Sequence, residues 1–117
     1  MKKILLILIL TLFLGGCNNK TNNYDSLNGN LKKLMKENEY IILDVRTDEE
    51  FKESHLVDAI NISYDLIDEN VDLDKEKIIF VYCKSGNRSK IAYHKLIKLG
   101  YRVYDLGAYS DIDLPKE

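Results

Sequence analysis

The chain has 117 residues, 45% hydrophobic and 31% charged, with one Pro and no Trp, which is room for one small globular domain and a short appendage. Its formal net charge of −2 supplies no basic excess to neutralise phosphates, and this excludes nucleic acid as a general partner.

Met1-Lys2-Lys3 is a short positive start, and the eleven residues 4–14 that follow are apolar except for Thr11. At ~1.5 Å per helical residue the run covers roughly half of a ~30 Å hydrocarbon core, too short to span it comfortably. Positive flank, short apolar run and small residues describe a secretory signal peptide over residues 1–16. Leu14-Gly15-Gly16-Cys17 resembles the lipobox of bacterial lipoproteins. That resemblance implies cleavage before Cys17, acylation of its sulfur, and a chain anchored in the cell membrane on its extracytoplasmic side. A plain signal peptide, or an uncleaved anchor with an incidental Cys, is the alternative. Loss of Lys2 and Lys3 takes the 17 basic residues to 15 against 19 acidic ones, a net charge of −4. With Cys17 acylated, Cys83 becomes the sole free thiol and no intramolecular disulfide can form. Residues 17–30 are Asn-rich and without apolar period, as a flexible tether would be.

The domain is expected over residues 31–117. Leu31, Leu34 and Met35 at i, i+3, i+4 predict a short helix over residues 31–39. Residues 40–45 (YIILDV) are an apolar run expected of a strand buried on both faces. Thr47 and Glu50 then offer a capping box for a helix ending near Ser54. A short strand is expected over 59–62, a short helix over 64–69, and a second apolar strand over 77–82 (KIIFVY). Residues 83–88 (CKSGNR) read as a loop. Residues 89–99 read as a helix with Ala92, Tyr93, Leu96 and Ile97 inward, closed by Gly100. A third clear strand follows at 102–106 (RVYDL). Strands alternating with helices predict an α/β domain, a small mainly parallel β-sheet with helices on both faces.

Cys83 falls where a buried strand ends and a helix is about to begin, the edge at which open α/β sheets bind ligands. Gly86 permits a tight bend, and Lys84, Ser85 and Asn87 are small or flexible. With helix amides opening near Ser89, the turn can aim several N–H groups at one point and hold an anion. Arg88 adds a permanent cation, so dipoles and cation both favour the thiolate, the form that attacks sulfur. On residues alone, a buried strand-ending Cys before an ordinary turn is the alternative.

CKSGNRS after an IIFVY strand resembles the C-x-x-G-x-R-S active-site loop of rhodanese-like domains. LDVRTDEEFKESHLVDAINI upstream is similar to that family's D-V-R-x-x-x-E-F-x-x-G-H-I-x-G-A-x-N-I stretch, and LIKLGYRVYDLGAY downstream to its L-x-x-x-G-[YF]-x-V-x-x-L-x-G-G pattern. The resemblance implies a sulfurtransferase of the thiosulfate type, with Cys83 carrying a persulfide and Lys84, Ser85, Gly86, Asn87, Arg88 and Ser89 forming the substrate-binding loop. It implies a small sulfur-containing anion as donor, a thiol or cyanide-like acceptor, and no cofactor. It also puts Asp44 and Arg46 behind the loop as its support. Ser54 and Asp58 stand where the pattern has glycines, Ala108 replaces its last Gly, and Ile112 replaces a frequent Trp, which bears on pocket shape.

Two other functions fit a fold of this kind. One is a non-catalytic binding module, and inactive relatives commonly lose the cysteine that is intact here. The other is a cysteine phosphatase, in which His-Cys is followed by five residues and Arg. Here Tyr82 replaces the His, only four residues separate Cys83 from Arg88, and no acid lies in or beside the loop as a leaving-group donor. His55 is expected in a structural turn and His94 in solvent, and with so few ligating side chains no metal site is expected.

Overall fold

The computed structural model describes residues 30–117. The expected signal peptide, the acylation site Cys17 and the tether up to residue 29 lie outside the described residues. Helix α1 (Leu31–Glu37) leads into β1 (Tyr40–Asp44), and α2 (Asp48–Glu53) follows. Next come β2 (Ile60–Asn61), a 3-10 turn (Tyr64–Leu66) and β3 (Ile78–Cys83). Helix α3 (Asn87–Lys98), β4 (Arg102–Ala108) and a second 3-10 turn (Tyr109–Asp111) complete the domain. The four strands form one all-parallel sheet in the order β2-β1-β3-β4.

The apolar runs dictate this order. Every residue of β3 is buried, so it takes a central place beside β1, in register from Tyr40↔Ile78 to Asp44↔Tyr82. The two-residue repeat of a strand then sorts side chains onto two faces. Leu43, Ile79, Val81 and Cys83 pack against Ala92 and Leu96 of α3. Ile42, Ile78, Phe80 and Tyr82 pack with Leu31 of α1 and with Leu56, Leu106 and Ile112. The expected fold class, helices on both faces of a small parallel sheet, is the one observed.

Local departures have local causes. The helix expected at 64–69 stops after one 3-10 turn, because Ile67 drops into the core in extended conformation and the Asp68 carboxylate takes the Asn70 amide. Ile97, expected inward, is exposed, while Ser89 takes an inward place on α3. Asp58 adopts φ 70° in a turn closed by Ala59 N–H to Leu56 O at 3.0 Å, so it keeps the left-handed geometry that glycine would supply. Ser54 and Ala108 are extended and need no glycine, and Ile112 fills the core at 1% exposure.

Candidate active site

Tyr82 and Cys83 end β3 and, being consecutive, face opposite sides of the sheet. Opposite them β4 carries a bulge. Val81 pairs with Asp105 and Tyr82 with Gly107, so Leu106 is the extra residue, and Gly107 turns at φ 82°. Such a bulge re-aims the strand end.

The chain leaves β3 through a loop of three residues, 84–86, and enters α3 at once. The helix begins at Asn87, two residues earlier than expected, so Asn87 and Arg88 are helical rather than looped and Ser89, as expected, is helical. Gly86 makes this possible: at φ 101° it reverses the chain in one step, where an L side chain would be strained. The reversal brings the Gly86 amide to 2.9 Å from Cys83 Sγ, to which it donates. The Gly86 carbonyl accepts from the Ser89 hydroxyl at 3.1 Å and the Lys90 amide at 3.2 Å, which fixes the following peptide, Gly86–Asn87, and so anchors the residue that donates to Cys83. Ser89 and Cys83 are fully buried, whereas Lys84, Ser85 and Asn87 are exposed.

Arg88 lies in the first turn of α3, but a partner absent from the sequence reading holds it. Its two terminal nitrogens donate to the two carboxylate oxygens of Glu50 at 2.8 and 3.1 Å. Glu50 is also the third residue of the α2 capping box, accepting from Thr47 N–H and Oγ1 at 3.0 Å each. The Arg88 guanidinium is the main reason that the Glu50 carboxyl is lowered to about 2; burial opposes this and the Thr47 bonds reinforce it. Glu50 in turn raises Arg88, with a smaller push in the same direction from the charge of Cys83. An acid does therefore stand beside the loop, reaching it through space from α2. Titrating near 2, it is an anion and not a proton donor.

Asp44 and Arg46 form a separate, buried pair. Arg46 Nε donates to both Asp44 oxygens at 2.9 and 3.0 Å, and a terminal nitrogen donates at 2.6 Å. The same nitrogen donates to Ser54 O at 2.7 Å, and the guanidinium stacks 4.6 Å from the Tyr109 ring centroid. The Tyr82 hydroxyl donates to Asp44 Oδ2 at 2.7 Å and accepts the Leu56 amide at 3.1 Å. Burial is the chief cause of the raised Tyr82 phenol, so it stays a donor at all ordinary pH. The pair thus reaches the loop indirectly, by fixing the residue before Cys83. Tyr109, whose hydroxyl donates to Ser54 Oγ at 3.1 Å, closes the network. From the residues alone Ser54 is expected to bear only on pocket shape and Tyr109 has no expected role, so their part in this network is new.

His55 stacks on Phe51 with centroids 3.9 Å apart. Its Nδ1 lies 2.7 Å from Phe51 O and its Nε2 3.4 Å from Glu117, so its ring is committed to α2 and the C-terminal residue. His94 is exposed.

The chain is similar to several known proteins. The family described as "Rhodanese-like domain" matches residues 27–112. The chain is 38% identical to the adenylyltransferase and sulfurtransferase UBA4 of Candida albicans over 68% of its own length, but it spans only 19% of that protein. It is 35% identical to the thiosulfate sulfurtransferase PspE of Escherichia coli, covering 63% of this chain and 75% of that one. Among solved structures, a rhodanese with anions from E. coli superposes with a TM-score of 0.61 at 31% identity, covering 67% of this chain and 96% of the other.

Proposed function

This chain belongs to the rhodanese-like family, and from that premise we propose that it is a sulfurtransferase in which Cys83 carries sulfur as a persulfide. The observation that supports this most is the Gly86 amide donating to Cys83 Sγ in a loop that Gly86 itself bends, with a guanidinium in the first turn of the following helix. Negative charge on that sulfur is met by an oriented N–H and a nearby cation. In the first half-reaction the Cys83 thiolate attacks the outer sulfur of a donor such as thiosulfate. The donor S–S bond breaks, sulfite leaves with the bonding electron pair, and Cys83 retains S–S⁻. In the second, an acceptor nucleophile, a thiolate or cyanide, attacks the terminal sulfur and returns the thiolate. No proton has to be delivered to a leaving group, which suits a loop whose neighbouring acid, Glu50, is permanently ionised. Exposed Lys84 and Lys90 give local positive potential beside the loop on an otherwise acidic chain, which draws in a small anion, while the charge of Arg88 is offset by Glu50.

Purified protein incubated with thiosulfate and cyanide should form thiocyanate, and Cys83→Ser should abolish it. Cys83-dependent release of phosphate from an aryl phosphate, without thiocyanate, would overturn the proposal.

The location is part of the same reading. Leu14-Gly15-Gly16-Cys17 supports an acylated Cys17 that holds the domain on the extracytoplasmic face of the membrane, for which two acyl chains suffice. Cys17→Ser should move the protein to the soluble fraction; equal retention of variant and wild type at the membrane would refute the anchor.

A further inference from the structure

Arg88 is held by one anion and follows another by five residues. Glu50 occupies both terminal nitrogens of its guanidinium, and negative charge on Cys83 acts on it in the same sense but more weakly. Thiolate, guanidinium and carboxylate together carry one net negative charge, and a bound dianion adds two more. A carboxylate in this bidentate position is an anion already seated where an incoming anion would seek the same donors. We propose that Glu50 is a specificity-determining residue: by holding Arg88 as an internal competitor, it disfavours dianionic sulfur donors and shifts the loop toward donors of lower charge.

The proposal rests on the sulfur-transfer reading for its substrate class, but the geometry behind it is independent of turnover. Glu50 and Arg88 are only about a quarter exposed, so solvent weakens their contact less than it would a surface pair. Glu50 stays ionised through the working pH range because Arg88 holds it there. Its role in the α2 cap could be confused with an electrostatic one, but Gln serves at that capping-box position as Glu does. Glu50→Gln therefore keeps the cap and deletes the charge.

The test compares two donors. Thiosulfate is a dianion that releases sulfite, whereas an aryl thiosulfonate is a monoanion that releases a sulfinate by the same attack on its outer sulfur. Glu50→Gln should lower KM for thiosulfate about two- to fivefold, the span expected for removing one partly screened charge, and change KM for the thiosulfonate less. Glu50→Asp, whose carboxylate is drawn back by one methylene, should shift the ratio of the two KM values in the same direction by less. A second arm needs no sulfur transfer: the inorganic sulfate concentration that half-protects Cys83 from iodoacetamide, read by peptide mass, should fall in Glu50→Gln. Absence of thiocyanate in wild type would refute the sulfur-transfer reading while leaving the sulfate arm decisive for Glu50. An unchanged donor ratio and unchanged sulfate protection, or weaker binding of both donors alike, would overturn the proposal.

Discussion

Two carboxylate–guanidinium pairs lie within one small site, and they are built for opposite purposes. Asp44–Arg46 has both side chains almost wholly buried, 0% and 6% exposed, and its donors are spent on Asp44, Ser54 O and the flanking tyrosine rings. Glu50–Arg88 is a quarter exposed and joins the first turn of α2 to the first turn of α3. The first pair cannot exchange partners without leaving a charge in the core. The second can, because water reaches both members and a ligand anion can take the place of Glu50 on Arg88. Burial, and not distance, separates a scaffold from a switchable contact: the shortest contacts of the two pairs are 2.6 and 2.8 Å.

The comparison breaks first at Asp44. Asp44→Ala leaves the Arg46 charge buried and unpaired and frees the Tyr82 hydroxyl, which should cost about 3–5 kcal/mol. A domain this small has about 5–15 kcal/mol in all, so the variant should approach global unfolding at ambient temperature in urea titration. A loss below about 1 kcal/mol would mean that water reaches the pair. Tyr82→Phe is the milder break. It strands the buried Leu56 amide and removes one donor from Asp44, at about 1–3 kcal/mol. Because Tyr82 precedes Cys83, this variant should also lower the rate of thiocyanate formation more than a stability-matched core variant such as Ile79→Val does.

What could be read from the residues divides along the same line. The sheet was readable because β1 and β3 are continuous apolar runs, and the Cys83 loop because its turn, helix start and cation fall within six residues. The capping box was readable as well, since Thr47 and Glu50 are three apart. The second role of Glu50 was not, because Arg88 lies 38 positions away and the two meet only after β1 and β3 pair. Tyr82–Asp44 has the same separation and was hidden for the same reason. The one local signal available was the redundancy of the acids: Asp48, Glu49 and Glu50 all suit a helix start, yet the cap needs only Glu50.

The finest test of the comparison uses acid. Glu50 titrates near 2 in the fold against an ordinary 4.5, so its folded value is depressed. A depressed carboxylate contributes stability that is fully present above its unfolded value and is lost as pH falls through the folded one. The contribution of the Glu50–Arg88 pair should therefore be constant above about pH 5 and disappear between 4.5 and about 2. Solvent screening at a site this exposed holds it to about 1 kcal/mol. The wild-type melting temperature should exceed that of Glu50→Gln by a few degrees at pH 7, roughly 4–8 °C per kcal/mol for a domain of this size. The gap should close as pH approaches 2, and raised salt should narrow it at pH 7. The other carboxylates titrate in both proteins and cancel in the difference, so the gap isolates Glu50. A gap that persisted undiminished at pH 2 would mean that Glu50 stabilises the fold through packing or capping alone, and its contact with Arg88 would then contribute nothing measurable to stability.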